Sequence, residues 1–144
     1  MKRPHLAPFA LAVSMIALTS VAARAADPNG LWLSQDGDVK MKVSHCGPAI
    51  CGNIAWLKHP NDEQGRPKVD KNNSDASRRN RPIIGTPIML SMKADGADKW
   101  SGQVYNAEDG KTYSGSFTLA GANRADLKGC VAIICKSKSW TRTN

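Results

Sequence analysis

Residues 99–119 read KWSGQVYNAEDGKTYSGSFTL, and this stretch decides the fold class. Trp100, Gly102 and Val104 alternate with Ser101, Gln103 and Tyr105. After a turn, Tyr113, Gly115, Phe117 and Leu119 alternate with Thr112, Ser114, Ser116 and Thr118. A period of two puts each set on one face of a half-buried strand. Asn106 and Asp109-Gly110 supply turn chemistry, because Asn, Asp and Gly tolerate positive φ. The expectation is a β-hairpin, and with it a sheet.

The same pattern continues on both sides. Upstream, Leu31-Trp32-Leu33 reads as a short strand. Val39, Met41, Val43 and His45 form the apolar face of a second. Ile54 and Trp56 mark a third, alternating with Asn53 and Ala55, and a fourth begins at Pro87 or Ile88. Downstream, residues 124–129, with Ala125 and Leu127 inward, and residues 136–143 complete a count of eight. Short turns join them all except at 58–82. That segment is poor in apolar residues, long for a connection in a compact domain, and therefore functional or loosely ordered. Within it, Ser74-Asp75 caps a single helical turn ending near Asn80. The expected architecture is all-β: an eight-stranded antiparallel meander, closed or nearly closed into a small barrel so that its edges are hidden. The interior of such a barrel is just wide enough for side chains or for one small ligand.

The N-terminal segment stands apart. Lys2 and Arg3 precede an apolar run over 6–21, and Ala23-Arg24-Ala25 offers small residues where a signal peptidase reads. Residues 1–25 are therefore expected to be a cleaved signal peptide, and 26–144 a single periplasmic or secreted domain with no membrane span after cleavage. Losing Lys2, Arg3 and Arg24 takes the formal charge from +8 to +5. This mild excess suits anionic neighbours and gives no reason to expect nucleic acid as a partner.

Four cysteines fall in two pairs, Cys46/Cys51 and Cys130/Cys135, with four residues between the members of each. An exported chain with an even count implies disulfides. The matched spacing favours local pairing within two hairpin loops, and cross-pairing between the loops is the alternative that sequence leaves open.

Several runs together resemble a known family. W-S-G-x-x-Y-N-x-E-D-G-K-T-Y at 100–113, Asp70-Lys71-Asn72-Asn73, R-x-R-P-I-x-G at 79–85 and S-W-T-R at 139–142 resemble the bacterial secreted proteins of domain of unknown function 2147. The resemblance spans nearly all of 26–143. It implies an exported, β-barrel-like domain and brings no established activity and no catalytic residues. In addition, Gly30-Leu31-Trp32 is similar to the G-x-W motif on the first strand of lipocalins, where an arginine from the end of the last strand lies over the tryptophan. Trp140-Thr141-Arg142 supplies such an arginine. Gly30, Trp32, Trp100, Trp140 and Arg142 are accordingly expected to be structural, with Arg142 covering Trp32 and tying the last strand to the first.

Candidate chemistry is sparse. No G-x-S-x-G, phosphate-loop or zinc-ligand spacing is present, so no catalytic residue, metal or cofactor is expected, and the protein reads as a non-enzyme. His45 beside Cys46 is taken as a structural histidine, since His59 is at no recognisable ligand spacing. Glu108-Asp109 are turn residues. Two functional readings remain. In the first, the barrel mouth holds a small, partly apolar molecule beneath the 58–82 loop. In the second, the barrel is packed solid by Trp32, Trp56, Trp100 and Met89, and its basic loop meets an anionic envelope component. Arg78, Arg79, Arg81 and Trp56 are the candidate ligand or partner contacts. The apolar run Val131-Ala132-Ile133-Ile134 is expected to fold inward and plug a barrel end, in preference to forming an exposed contact surface.

Overall fold

A computed structural model describes residues 26–144; the expected signal peptide at 1–25 lies outside the described residues. Eight strands follow one another as β1 (Gly30–Ser34), β2 (Val39–Cys46), β3 (Ala49–Leu57), β4 (Pro87–Ala94), β5 (Lys99–Asn106), β6 (Lys111–Leu119), β7 (Arg124–Val131) and β8 (Ile134–Thr143). Each pairs antiparallel with the next, and β8 pairs with β1, so the sheet closes into a barrel. The central hairpin has Trp100 opposite Phe117, Gly102 opposite Gly115 and Val104 opposite Tyr113, all with the inward phase that alternation dictates.

Antiparallel meandering sends the connections alternately to two ends. One end carries the β2–β3, β4–β5 and β6–β7 turns together with the chain entry at Gly30 and exit at Thr143. It is closed by packing. Trp32, Val43, Met92 and Phe117 are fully buried there, with Trp32 and Phe117 edge to face at 5.7 Å between ring centroids. Arg142 seals this end. Its guanidinium carbon lies 4.3 Å from the centre of the Trp32 ring. Its nitrogens donate to the carbonyls of Ala122 and Asp27, both at 2.8 Å, and to that of Asn29. The indole N–H of Trp32 donates to Pro28 O at 3.0 Å. Gly30 is required beside them. Its φ is +142°, and a Cβ there would sit 2.6 Å from Arg142 Nη1, so no side chain fits under the guanidinium.

Both disulfides are local, Cys46–Cys51 at the closed end and Cys130–Cys135 at the other. They sit within longer strands than the alternation indicated. Cys130 directly faces Cys135 across the β7–β8 ladder, which leaves a two-residue turn at Ala132-Ile133. His45 is exposed at the end of β2.

Trp56 does not face the interior. Lys40 pairs with Trp56 but Met41 pairs with Ile54, so Ala55 is the extra residue of a β-bulge. The bulge resets the phase of β3: Leu57, opposite Val39, takes the inward place that strict alternation gave to Trp56. Trp56 is 40% exposed and carries the Lys40 ammonium 5.5 Å from its ring centre. It is therefore an outer-face residue and not a core anchor.

Candidate functional site: a cup at the open end

The other end of the barrel carries the β1–β2, β5–β6 and β7–β8 turns and the long β3–β4 connection, residues 58–86. It is not filled. A cavity of about 1420 Å³ opens there to solvent, so the solidly packed barrel is incorrect for this half of the molecule. The cavity stops where Met41 and Met89 lie across Gly52. A Cβ at Gly52 would meet their sulfurs at 2.8 and 2.9 Å, and the space left by the missing side chain is where the two thioethers pack. Above them Ile54, Ile88, Leu127 and Trp140 line an apolar base, with Val39, Leu57 and Val104 on the walls.

Two lysines enter this apolar surround from β8. Trp140 faces inward opposite Ala125, so the same phase points Lys138 and Lys136 into the cup, opposite Leu127 and Gly129. Lys138 is engaged: its ammonium meets Asp36 at 2.6 Å. That contact, with the Ser34 hydroxyl, lowers the Asp36 pKa to about 2. Lys136 forms no ion pair among the described residues. The cup thus offers apolar area below and a cationic donor on its wall. The indole N–H of Trp140 is buried without an acceptor among the described residues.

The long connection forms part of the rim and is tightly organised. It doubles back through isolated bridges Asn61–Pro67 and Val69–Pro82 and includes one 3₁₀ turn, Ala76–Arg78, whose cap Asp75 accepts from Ser77 N at 3.0 Å. One carboxylate fastens it to the barrel. Asp70 is fully buried. It accepts from the Tyr105 hydroxyl at 2.6 Å, from Asn73 Nδ2 at 2.8 Å and from Arg81 at 2.8 and 2.9 Å. Burial alone would raise its pKa; the bonds from Tyr105, Asn73 and Arg81, with the Arg81 charge, outweigh burial and hold the carboxyl below its ordinary range. Burial and the same carboxylate raise Tyr105. Tyr105 has the outer phase of β5 and is buried because this loop covers it. Nearby, Asn72 Nδ2 donates to Glu108 O at 2.8 Å. A Cβ at Gly110 would overlap the Asn72 carbonyl, so the loop rests directly on the β5–β6 turn. The residues of the D-K-N-N, R-x-R-P and Y-N-x-E-D-G runs are thereby one fastening.

The basic cluster belongs to that fastening and does not line the cup. Arg81 is bound to Asp70 and lies 5.5 Å from the Tyr105 ring centre. Arg78 pairs with Asp75 at 3.2 Å, and Arg79 Nε donates to Asn73 O at 2.8 Å. Arg81 and Arg78 are thus paired with carboxylates, whereas Arg79 contacts only a backbone carbonyl and forms no ion pair among the described residues. The residues that do face the cavity, Lys136 above all, are not among the contacts expected from the sequence. The signal was present in K-S-K-S-W, where Lys136 and Lys138 share the phase of Trp140. The Val131–Ile134 run, finally, is no plug: Ile133 is 96% and Ile134 72% exposed.

Among the described residues, no group of three or more His, Cys, Asp or Glu side chains converges as a metal site, and no helix is long and apolar enough to cross a membrane. The family model described as "Uncharacterized protein conserved in bacteria (DUF2147)" matches residues 30–142. No curated protein matches the sequence. Among solved structures, the chain is similar to protein HP1028 from Helicobacter pylori, whose description places it in the lipocalin family. The TM-score is 0.71 at 17% identity, covering 83% of this chain and 84% of that one. The likeness is one of fold. A redesigned β-barrel aligns more loosely, with a TM-score of 0.41 at 12% identity over 81% of this chain and 91% of that one.

Proposed function

The chain belongs to the DUF2147 family of bacterial proteins, and within a lipocalin-like barrel of that family we propose that it is a non-catalytic binder or carrier of a small, partly apolar molecule held in the cup. The observation that carries this reading is the cavity itself: about 1420 Å³, apolar at its base and open at one end. A binding site of this kind is concave and mostly apolar, with a few polar groups that orient the ligand. Lys136 is the orienting group, which favours a ligand bearing an anionic or strongly accepting head above a hydrocarbon or aromatic body. The fold-level likeness to a lipocalin-family protein is compatible with this and does not identify the ligand. We further propose that residues 1–25 are a signal peptide and that 26–144 act outside the cytoplasm, where both disulfides persist; N-terminal sequencing of exported protein should begin at Ala26.

The test uses dansyl-undecanoic acid as the probe. Its emission should rise saturably with the protein. Gly129→Leu projects a side chain into the cup without a backbone clash, since a Cβ there meets Tyr113 only at 3.5 Å; it should weaken binding by about tenfold or more. Lys136→Met should weaken the acid and spare its methyl ester. No saturable binding, or binding indifferent to Gly129→Leu, would sink the reading. Native mass spectrometry of protein recovered from its own cells would then identify the physiological ligand.

A further inference from the structure

The β7–β8 hairpin ends in a feature that neither the fold nor the cup explains. Val131, Ile133 and Ile134 are 58, 96 and 72% exposed. Ala132 between them has φ +50°, a left-handed conformation that a residue with a Cβ rarely adopts. Directly beneath, the Cys130–Cys135 disulfide ties the two strands together. The staple holds the strand ends at the base of the tip, so its branched side chains stay presented to solvent beside the cup mouth, which Val131 and Ile134 also line. Lysines surround it. Lys128 precedes Cys130 by two residues, Lys136 follows Cys135, and Lys111 shares a shallow groove with Cys130 and Val131. None of the three is in an ion pair among the described residues. Asp109 on the neighbouring turn is occupied by the Tyr113 hydroxyl and the Lys111 amide.

The geometry points to a membrane-docking tip: Val131, Ile133 and Ile134 enter the acyl boundary of a bilayer containing anionic lipid, while Lys111 and Lys128 sit at the level of its headgroups and Lys136 stays on the cup wall. The shape selects a bilayer over a protein. Three side chains on a convex point cannot supply the roughly 800 Å² per partner of a stable protein interface, whereas a bilayer receives a protruding apolar point without a matching concavity. Apolar insertion combined with basic residues at the surface is the pairing that produces peripheral membrane binding. The surface shares Val131 and Ile134 with the cup mouth, but its outermost residue, Ile133, lies outside the cup lining, and the proposal does not require a ligand to be bound there. Docking by this tip would turn the open end of the barrel toward the membrane.

The test places the reporter at the tip of the full chain. Ile133→Trp, at an almost fully exposed position, is mixed with vesicles of phosphatidylcholine alone or of phosphatidylcholine with phosphatidylglycerol. With the anionic vesicles its emission should shift to the blue and be quenched by doxyl groups on the acyl chains, and added salt should weaken the effect. The chain has four native tryptophans, so the wild-type chain with the same vesicles is the reference, and the quenching in excess of wild type reads the depth of position 133. Ile133→Asp should reduce the partitioning that depends on the tip by about tenfold, with the near-ultraviolet circular dichroism of the barrel unchanged. Quenching no greater than that of the wild-type chain with both vesicle types overturns the proposal. So does a result in which Ile133→Asp alters only the oligomeric state, which would assign the tip to contact between copies of this chain.

Discussion

The two ends of the barrel are built from the same strands and differ in almost everything else. At the closed end the interior is solid: Trp32, Val43, Met92 and Phe117 are buried without exception, and Arg142 lies over the indole with its nitrogens satisfied by three carbonyls. At the open end the inward positions of β7 and β8 are Gly129, Lys136 and Lys138, which leave a cavity. The stability of the outer rim there comes from the buried Asp70 fastening and from a disulfide. The contrast teaches where selection for packing stops. Dense apolar packing at one end holds a closed barrel together, and that frees the other end to keep the unfilled volume and exposed apolar surface on which the proposed binding rests.

The comparison breaks most sharply under truncation. Phe117→Ala, at the closed end, should cost about 3–5 kcal/mol through lost burial and the cavity left behind. Val104→Ala, on the cup wall, should cost about 1 kcal/mol or less, because its side chain already borders open volume. Urea melts of the two variants check the difference. Equal losses would mean that the cup is closed in solution.

Next in size is the rim fastening. Asp70→Asn leaves Arg81 without its counter-charge and should cost about 3 kcal/mol. Its pH signature has a definite sign. The folded-state pKa of Asp70 is held below the unfolded value of about 3.9. The stabilisation is therefore complete above the ordinary carboxylate range and is lost as pH falls through the folded value. The wild-type urea midpoint should drop as pH is lowered below about 4, and Asp70→Asn should flatten most of that drop. A variant with the full acid dependence would show that other carboxylates govern it.

How far these ends were legible follows from which interactions are local. The central hairpin was readable because Trp100, Val104, Tyr113 and Phe117 keep one phase through an unbroken ladder. Trp56 was misplaced because one extra residue, Ala55, reverses the phase of β3, and a bulge leaves no mark in composition. The Asp70 fastening joins residues 35 positions apart through Tyr105, a distance over which alternation carries nothing. The runs containing both residues could be quoted, but not the bond between them. The cup lysines share the phase of Trp140, but alternation alone does not say whether a charged strand position faces solvent outside the barrel or, as here, inside. The apolar tip was expected to fold inward because burial is the ordinary fate of such a run. The disulfide beneath it, which holds the strand ends together, was read only as a bond.

A smaller effect tests the seal of the closed end. Arg142→Lys keeps the charge but loses the flat guanidinium that stacks on Trp32 and reaches three carbonyls. About 1 kcal/mol is expected from the cation–π component. In a Trp32→Leu background most of that cost should vanish, which is the criterion for direct coupling. A cost unchanged by the background would assign the role of Arg142 to its carbonyl contacts alone.

The smallest expected effect sets two carboxylates of the open end against each other. Asp36 and Asp70 are both shifted downward, Asp36 to about 2. A shift alone would suggest that the Asp36–Lys138 pair matters as much as the fastening. Exposure argues otherwise: both side chains of the pair are 45% exposed, whereas Asp70 is fully buried. Water and salt screen the exposed pair, so Asp36→Asn should cost less than about 1 kcal/mol and still less at high ionic strength. Its sign is the same as that of Asp70. The contribution is present above about 3.9 and lost as pH falls through about 2. The variant has a second consequence that Asp70→Asn lacks. It releases Lys138 inside the cup, adding a cation without a partner to the wall that already carries Lys136. Asp36→Asn should therefore tighten the binding of dansyl-undecanoic acid while barely altering the urea midpoint. If the midpoint falls as far as with Asp70→Asn, the rim pair is part of the barrel's structural support, and the division between a packed end and a permissive end does not hold at β8.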